Sequence, residues 1–340
     1  MKIYHLSHTD LDGYGCQYVV SHYFDNCEFY NSNYGKEIEE KFDEILIKLD
    51  KNKDEKSLVL VTDLNPVSSV CEEMSRKIQD YPNAKLFLLD HHQTGEECMQ
   101  KFYWYLLDSS RCATKITYDF FSKIFGENKE LSLMVDIINS IDIWLSDSKY
   151  FELGKILMQI IASSKEINRT MFAKQNHAYM FFLLNKAKEY FHVKNPHIEL
   201  ENAVHFIKKD FFRLDIDNTL CNLISDYLVR ILSENKQDYT IYYKDKKGLL
   251  VYDIGNVSVI GNDFLVKNPE YDFFLEINPG KKISLRANNK IDVSLFAKTA
   301  FNGGGHANAS GGIFTSYKDS SVYSKIYEQT KTYLEKFNEK

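Results

Sequence analysis

The stretch Lys85-Leu86-Phe87-Leu88-Leu89-Asp90-His91-His92 decides the fold. An apolar run too short for a helix ends abruptly on an acid and two imidazoles, which reads as a strand buried on both faces with a polar edge. Two other segments repeat the arrangement. Met1–Leu6 runs into His8-Thr9-Asp10-Leu11-Asp12-Gly13, and Leu58–Thr62 runs into Asp63. Between them, Lys36–Leu49 sets Ile38, Phe42, Ile45, Leu46 and Leu49 on one side of an amphipathic helix. Strands alternating with helices predict an α/β domain, a parallel sheet with helices on both faces. Ligands in such sheets gather beyond the carboxyl ends of the strands, where Asp10, Asp63 and Asp90 fall.

A single Asp at a strand end is an ordinary turn residue. Several brought to one edge are different, because unpaired carboxylates raise one another's pKa values and a bound cation removes that repulsion. An oxygen-rich set with some imidazole suits Mn, Mg or Co. With no Cys-x-x-Cys pair, a thiolate zinc site is disfavoured.

The segments His8-Thr9-Asp10-Leu11-Asp12-Gly13, Asp63 in Val61-Thr62-Asp63-Leu64-Asn65-Pro66, and Asp90-His91-His92 resemble the first three motifs of the DHH phosphoesterase superfamily, which includes RecJ-type exonucleases, nano-RNases and family II pyrophosphatases. A fourth motif of the family supplies one more Asp, matched best by Asp142, with Asp136 and Asp147 as rivals. His5 rivals His8, which is preferred. Far downstream, Gly303-Gly304-Gly305-His306-Ala307-Asn308-Ala309-Ser310-Gly311 resembles the glycine-histidine motif of the DHHA1 domain. The resemblance implies two divalent ions, most readily Mn(2+). His8 and Asp10 would hold one, Asp12, His91 and Asp142 the other, and Asp63 would bridge. Asp90 is expected to orient His91 or His92, leaving His92 to face the phosphate as donor or general acid.

Composition fits a two-domain enzyme. The chain has 340 residues, 44% hydrophobic and 26% charged, and no apolar run approaches the ~18 residues that span a bilayer. Met1–Asp10 lacks the apolar core of a secretory signal. Six scattered cysteines point to a reducing compartment, so the expectation is a cytoplasmic protein without a membrane partner. A net charge of −6 argues against tracking long duplex nucleic acid, which calls for a basic surplus. The expected substrate is therefore a short RNA oligonucleotide or small nucleotide. Oligomeric state is unreadable from one chain, and a homodimer is open to it.

The middle of the chain reads as helical: Ala113–Phe125, Glu130–Asn139, Asn176–Tyr190 and Phe211–Leu232, interrupted at Asn195-Pro196. From Tyr239 the texture changes to strands at Tyr239–Tyr243, Gly248–Asp253, Tyr271–Ile277 and Lys282–Arg286, with Ile291–Phe301 a helix leading into the glycines. The expected organisation is a catalytic DHH domain over 1–190, a helical connector over 191–238, and a smaller α/β DHHA1 domain over 239–340. Consecutive glycines let several N–H groups converge on an anionic oxygen, and His306 adds a donor there. In the family this loop binds the substrate phosphate or terminal nucleotide with the help of an Arg on a preceding strand. Arg286 fits that place beside Gly303, Gly304, Gly305 and His306.

The leading expectation is a metal-dependent phosphodiesterase that degrades short RNA to mononucleotides, as nano-RNases do. Hydrolysis of cyclic nucleotides, of cyclic-dinucleotide products or of adenosine bisphosphate is the alternative. A non-catalytic nucleotide-binding module would be expected to have lost one or more of the acids.

Overall fold

In the computed structural model, which describes residues 1–337, the elements alternate as the apolar runs predict. The first part of the chain forms β1 (Lys2–Ser7), α1 (Leu11–Tyr23), β2 (Cys27–Asn31), α2 (Lys36–Lys51), β3 (Ser57–Thr62), α3 (Ser68–Ile78), β4 (Ala84–Asp90), α4 (Glu96–Lys101), β5 (Tyr105–Leu107), α5 (Ala113–Phe125), α6 (Lys129–Asp142), α7 (Phe151–Ser163) and α8 (Ala173–Lys188). Its five strands run parallel in the order β2-β1-β3-β4-β5.

Period-two alternation explains how this sheet is covered on both sides. Tyr4, Leu6, Val59, Val61, Leu86 and Leu88 face one layer with Ile38, Phe42 and Ile45 of α2 and Cys71 and Met74 of α3. Ile3, Leu60 and Leu89 face the other, with Val20 of α1 and Ile116 and Phe121 of α5. Each such large side chain contributes roughly 1.5–3 kcal/mol by leaving water. The chain order reverses between β1 and β3, and a crevice opens at such a switch point beyond the strand ends. That is where the motif acids emerge.

The later part forms α9 (Pro196–Phe212), α10 (Leu220–Glu234), β6 (Thr240–Tyr243), β7 (Lys246–Tyr252), α11 (Val257–Lys267), β8 (Phe273–Ile277), β9 (Lys282–Ala287), α12 (Val293–Phe301), β10 (Gly304–His306), β11 (Ala309–Ile313) and α13 (Tyr323–Glu335). Its sheet runs β10-β11-β9-β8-β7-β6, antiparallel except where α11 connects the parallel pair β7 and β8. One face packs Leu250, Tyr252, Phe273, Leu275, Ile283 and Leu285 against Phe296 and Phe301 of α12 and Ile326 and Leu334 of α13.

The chain divides into two compact units: Met1–Ser164 with His177–Val204, and Lys165–Asn176 with the chain from His205 onward. Residues 191–204 thus belong to the first unit and 205–238 to the second. The expected single helix over Phe211–Leu232 is broken. α9 stops at Phe212, and α10 starts afresh after Thr219, whose hydroxyl accepts from the Asn222 N–H at 3.3 Å. Asp215, Asp217 and Asn218 fill the gap with residues that compete for backbone hydrogen bonds. Among the described residues no helix is long and apolar enough to cross a membrane.

Candidate functional site

The first motif turns directly from strand to helix. Asp10 caps α1 by accepting from the Gly13 N–H at 3.0 Å, which places Asp12 in the first turn of the helix. Gly13 is required for this turn, because a Cβ there would lie 2.3 Å from the His8 carbonyl oxygen. Asp63 follows β3 in the left-handed region, φ 55°, a conformation that costs free energy for a non-glycine residue and that Asp tolerates better than most. Its N–H is fixed to the Leu89 carbonyl at 3.1 Å, so the ends of β3 and β4 are locked in register.

Side chains from these ends converge on two points. His8 Nδ1 lies 2.8 Å from Asp10 Oδ2 and 3.7 Å from Asp63 Oδ2. His91 Nε2 lies 3.4 Å from Asp63 Oδ1, 3.6 Å from Asp142 Oδ2 and 3.7 Å from Asp12 Oδ2. The His8–Asp10 separation is that of a hydrogen bond, whereas the 3.4–3.7 Å separations are too long for good ones and leave room for a cation between the groups. His8 Nδ1 and Asp63 Oδ2 are buried and make no hydrogen bond of acceptable geometry among the described residues. Buried polar atoms seldom go without partners, and such a pair fits cation ligands. Asp63 faces both points, one oxygen toward each histidine.

The electrostatics agree. Burial pushes the Asp63 carboxyl well above the carboxylate range, with the Asp12 and Asp10 charges adding to it. Asp142 is pushed up to about 9 by burial and by the same two neighbours. Without cations these carboxylates cannot all ionise together, while two divalent ions would let them. Asp12 is held in another way: its oxygens accept the Ala113 and Thr114 N–H groups, each at 2.8 Å, at the positive end of α5. Burial lowers the pKa of His91 despite the nearby Asp12 charge, which favours the neutral imidazole that a metal requires.

The rivals lie elsewhere. His5 is buried within β1 with Nε2 2.8 Å from Thr62 Oγ1. Asp136 is 3.8 Å from Lys115, and Asp147 is exposed in a turn. Asp90 is fully buried and accepts from His92 Nδ1 at 2.7 Å and from the Tyr105 hydroxyl at 2.8 Å. It therefore orients His92. Burial opposes the charged imidazole of His92, but the bond to Asp90 outweighs it and raises the pKa.

Three neighbours had no signal in the sequence. Cys112 Sγ lies within 4.8 Å of ligand atoms of Asp12 and Asp142. Tyr105 carries Asp90. Tyr34 places its hydroxyl 3.0 Å from His92 Nε2 and its ring 4.5 Å from that of His8.

In the second unit, Arg286, Ala309 and His306 are paired residues on β9, β11 and β10, a row that points to one face of the sheet. Arg286 donates to its neighbour Leu285 O at 2.8 Å and to Ser258 Oγ, in the first turn of α11, at 2.7 Å. The three glycines differ from the open, anion-cradling loop read from the sequence. Gly304 and Gly305 begin the edge strand β10, and of the three only Gly305 has positive φ, 147°. A Cβ on Gly303 would come within 1.9 Å of the Gly311 carbonyl oxygen, and one on Gly305 within 2.7 Å of the Ala309 carbonyl oxygen. These two glycines serve close packing against β11, whereas Gly304 borders open space. His306 is exposed.

No family model matches the chain. The 3′,5′-cyclic-nucleotide phosphodiesterase of Helicobacter pylori is 42% identical over 339 residues, which covers 97% of each protein. The crystal structure of an uncharacterized protein from Helicobacter pylori G27 is similar with a TM-score of 0.94 at 40% identity, over 99% of each chain. RecJ of Thermus thermophilus in complex with Mn2+ scores 0.36 at 14% identity, over 99% of this chain and 52% of that one, a likeness too distant to bear on metal or substrate. The motifs and the two-sheet fold resemble those of the DHH phosphoesterases. With 42% identity over nearly its whole length, the chain belongs to the same family as the Helicobacter phosphodiesterase.

Proposed function

We propose that this phosphoester hydrolase is a divalent-metal-dependent phosphodiesterase that opens 3′,5′-cyclic nucleotides. The observation that carries the substrate is the 42% identity, over 97% of each protein, with a Helicobacter protein of that name. The site supplies supporting chemistry. His8, Asp10 and Asp63 would hold one ion, and Asp12, Asp63, His91 and Asp142 the other, with manganese the proposed metal. Bound there, such ions provide a nucleophile at neutral pH and offset charge on the phosphoryl oxygens.

The remaining work falls to the chain. The N–H groups of Ala113 and Thr114 fix the Asp12 carboxylate in direction. Asp90 secures His92 through Nδ1, so Nε2 is the end that donates to a phosphoryl or leaving oxygen. Arg286 and His306 offer a planar cation and a second donor to the substrate phosphate. Cleavage of short RNA to mononucleotides is the second reading, favoured by the motif resemblance and by a charge of −6 that suits small substrates.

A substrate panel separates the two. Metal-stripped protein is reconstituted with Mn2+, Mg2+ or Co2+ and assayed on cyclic AMP, cyclic GMP, a ribodinucleotide, a longer ribo-oligomer and adenosine bisphosphate. The expected result is a manganese-supported kcat/KM at least about tenfold higher for a cyclic nucleotide than for the dinucleotide, a gap of about 1.4 kcal/mol. The reverse order would establish the short-RNA reading, and no turnover of any of them would overturn both.

A further inference from the structure

The hydrogen-bond chain Tyr105–Asp90–His92 continues one residue further, to Tyr34, which belongs to none of the motif segments. Tyr105 and Asp90 are 3% and 0% exposed, whereas Tyr34 is 44% exposed, so the chain runs from the core to the open side of the site. With the Nδ1 proton committed to Asp90, Nε2 is the working end of the His92 ring, and it is the atom that the Tyr34 hydroxyl meets at 3.0 Å. Tyr34 also stands edge-on to His92, with ring centroids 5.6 Å apart, and lies over His8 at 4.5 Å.

Its segment is tied to the first motif. Asn31 Nδ2 donates to the His8 carbonyl at 2.8 Å, Thr9 Oγ1 donates to Asn33 Oδ1 at 3.0 Å, and the Asn33 N–H donates to Glu37 at 2.7 Å. A hydroxyl can donate or accept as the ring demands, which suits it to hold an imidazole without fixing its proton.

We infer that Tyr34 is a positioning residue of the phosphodiesterase site, holding the outer end of the His92 ring until a phosphoryl oxygen takes the place of its hydroxyl at Nε2. The inference rests on the reading of His92 as a phosphate-facing donor. Asp90 fixes one end of the ring and Tyr34 the other, so a ring otherwise free to rock about a single bond is pre-aimed.

The test uses the full chain loaded with Mg2+, which is diamagnetic. Y34F removes the hydroxyl and keeps the ring over His8. The expected outcome is a displaced Nε2 resonance of His92 in nitrogen-15 NMR, an unchanged melting midpoint, and a kcat lowered about tenfold with KM within about twofold, the scale of one hydrogen bond. Y34A should lose more kcat and bind metal more weakly, because the contact with His8 goes too. An unmoved Nε2 resonance would overturn the contact in solution, and a displaced resonance with unchanged kcat would overturn the positioning role. A wild-type protein that hydrolyses no nucleotide would sink the functional reading, and with it the positioning role, while the NMR comparison still decided whether the contact exists.

Discussion

Asp63 and Gly304 sit in two of the motifs read from the sequence, yet their surroundings differ. Asp63 is buried in a left-handed turn, pushed toward its neutral form, with one oxygen lacking a hydrogen bond. Gly304 lies in a strand paired with β11, and on β9, beyond β11, Arg286 already has two acceptors. The first region is electrostatically unfavourable as it stands, and bound cations would relieve it. The second is satisfied as it stands, and a ligand there would have to displace existing hydrogen bonds. The contrast teaches that a cation site can be read from what its atoms lack, whereas a phosphate site must be read from what its side chains can release.

The largest expected effect comes from Asp63. D63N should lower turnover on the order of 10³-fold or more, as loss of a charge shared by two ions would, while the melting midpoint of the metal-free protein stays level or rises. Steady-state kinetics and calorimetry in chelator check both halves, and an active D63N would break the comparison on its cationic side.

Next is Arg286. R286A should raise KM by roughly 10–100-fold, the scale of a charge-assisted hydrogen-bond pair, with Mn2+ affinity by titration calorimetry unchanged and R286K only partly restoring KM. An effect confined to metal affinity would show that the two regions had been assigned the wrong roles.

Acidity sharpens the first region further. Asp142, raised to about 9 in the metal-free fold, holds a proton that an unfolded chain releases near pH 4. Its contribution to stability is therefore complete below pH 4 and is lost as the pH rises through about 9. In chelator, the midpoint of the wild type should fall relative to D142N between pH 5 and pH 9. The gain on adding Mn2+ should grow over the same range, since ligands bind metal deprotonated. A wild-type midpoint that tracked D142N throughout would refute this. The smallest effect is expected at His306, exposed on an edge strand: H306A should change KM by only about two- to fivefold, the scale of one ordinary hydrogen bond.

What the sequence disclosed was governed by locality. Strands β1, β3 and β4 announced themselves as apolar runs cut off by acids, and α2 by its stripe. Helix α1 gave no such stripe, because every residue from Leu11 to Val20 is buried and a helix enclosed on all sides has no polar face to mark its period. β2 and β5 are short, and a strand as brief as Tyr105–Leu107 carries too little pattern. The break between α9 and α10 was signalled only by Asp217-Asn218-Thr219, a capping cluster inside an apolar run. Most motif acids and imidazoles were visible because each closes a strand. Tyr34 was not, since its partner His92 is 58 residues away and nothing local distinguishes it from the other 22 tyrosines. For Gly303 and Gly305 the sequence showed a need for glycine but not its cause, which is the backbone of β11 rather than a ligand.

The strand order β2-β1-β3-β4-β5 carries one more consequence. Most residues that gather at the site's two points of convergence follow β1, β3 and β4, neighbours in space but separated in the chain by α1, β2, α2 and α3, and Asp142 comes from the end of α6, so no fragment holding one motif owns a site. Metal affinity is then a gauge of assembly: ions should bind the chain only once β1, β3 and β4 have docked in register. Their concentration in turn sets how firmly those strands stay docked, in proportion to the logarithm of free metal. Free metal would therefore firm the fold appreciably only once it exceeds the dissociation constant, where the sites are already mostly filled.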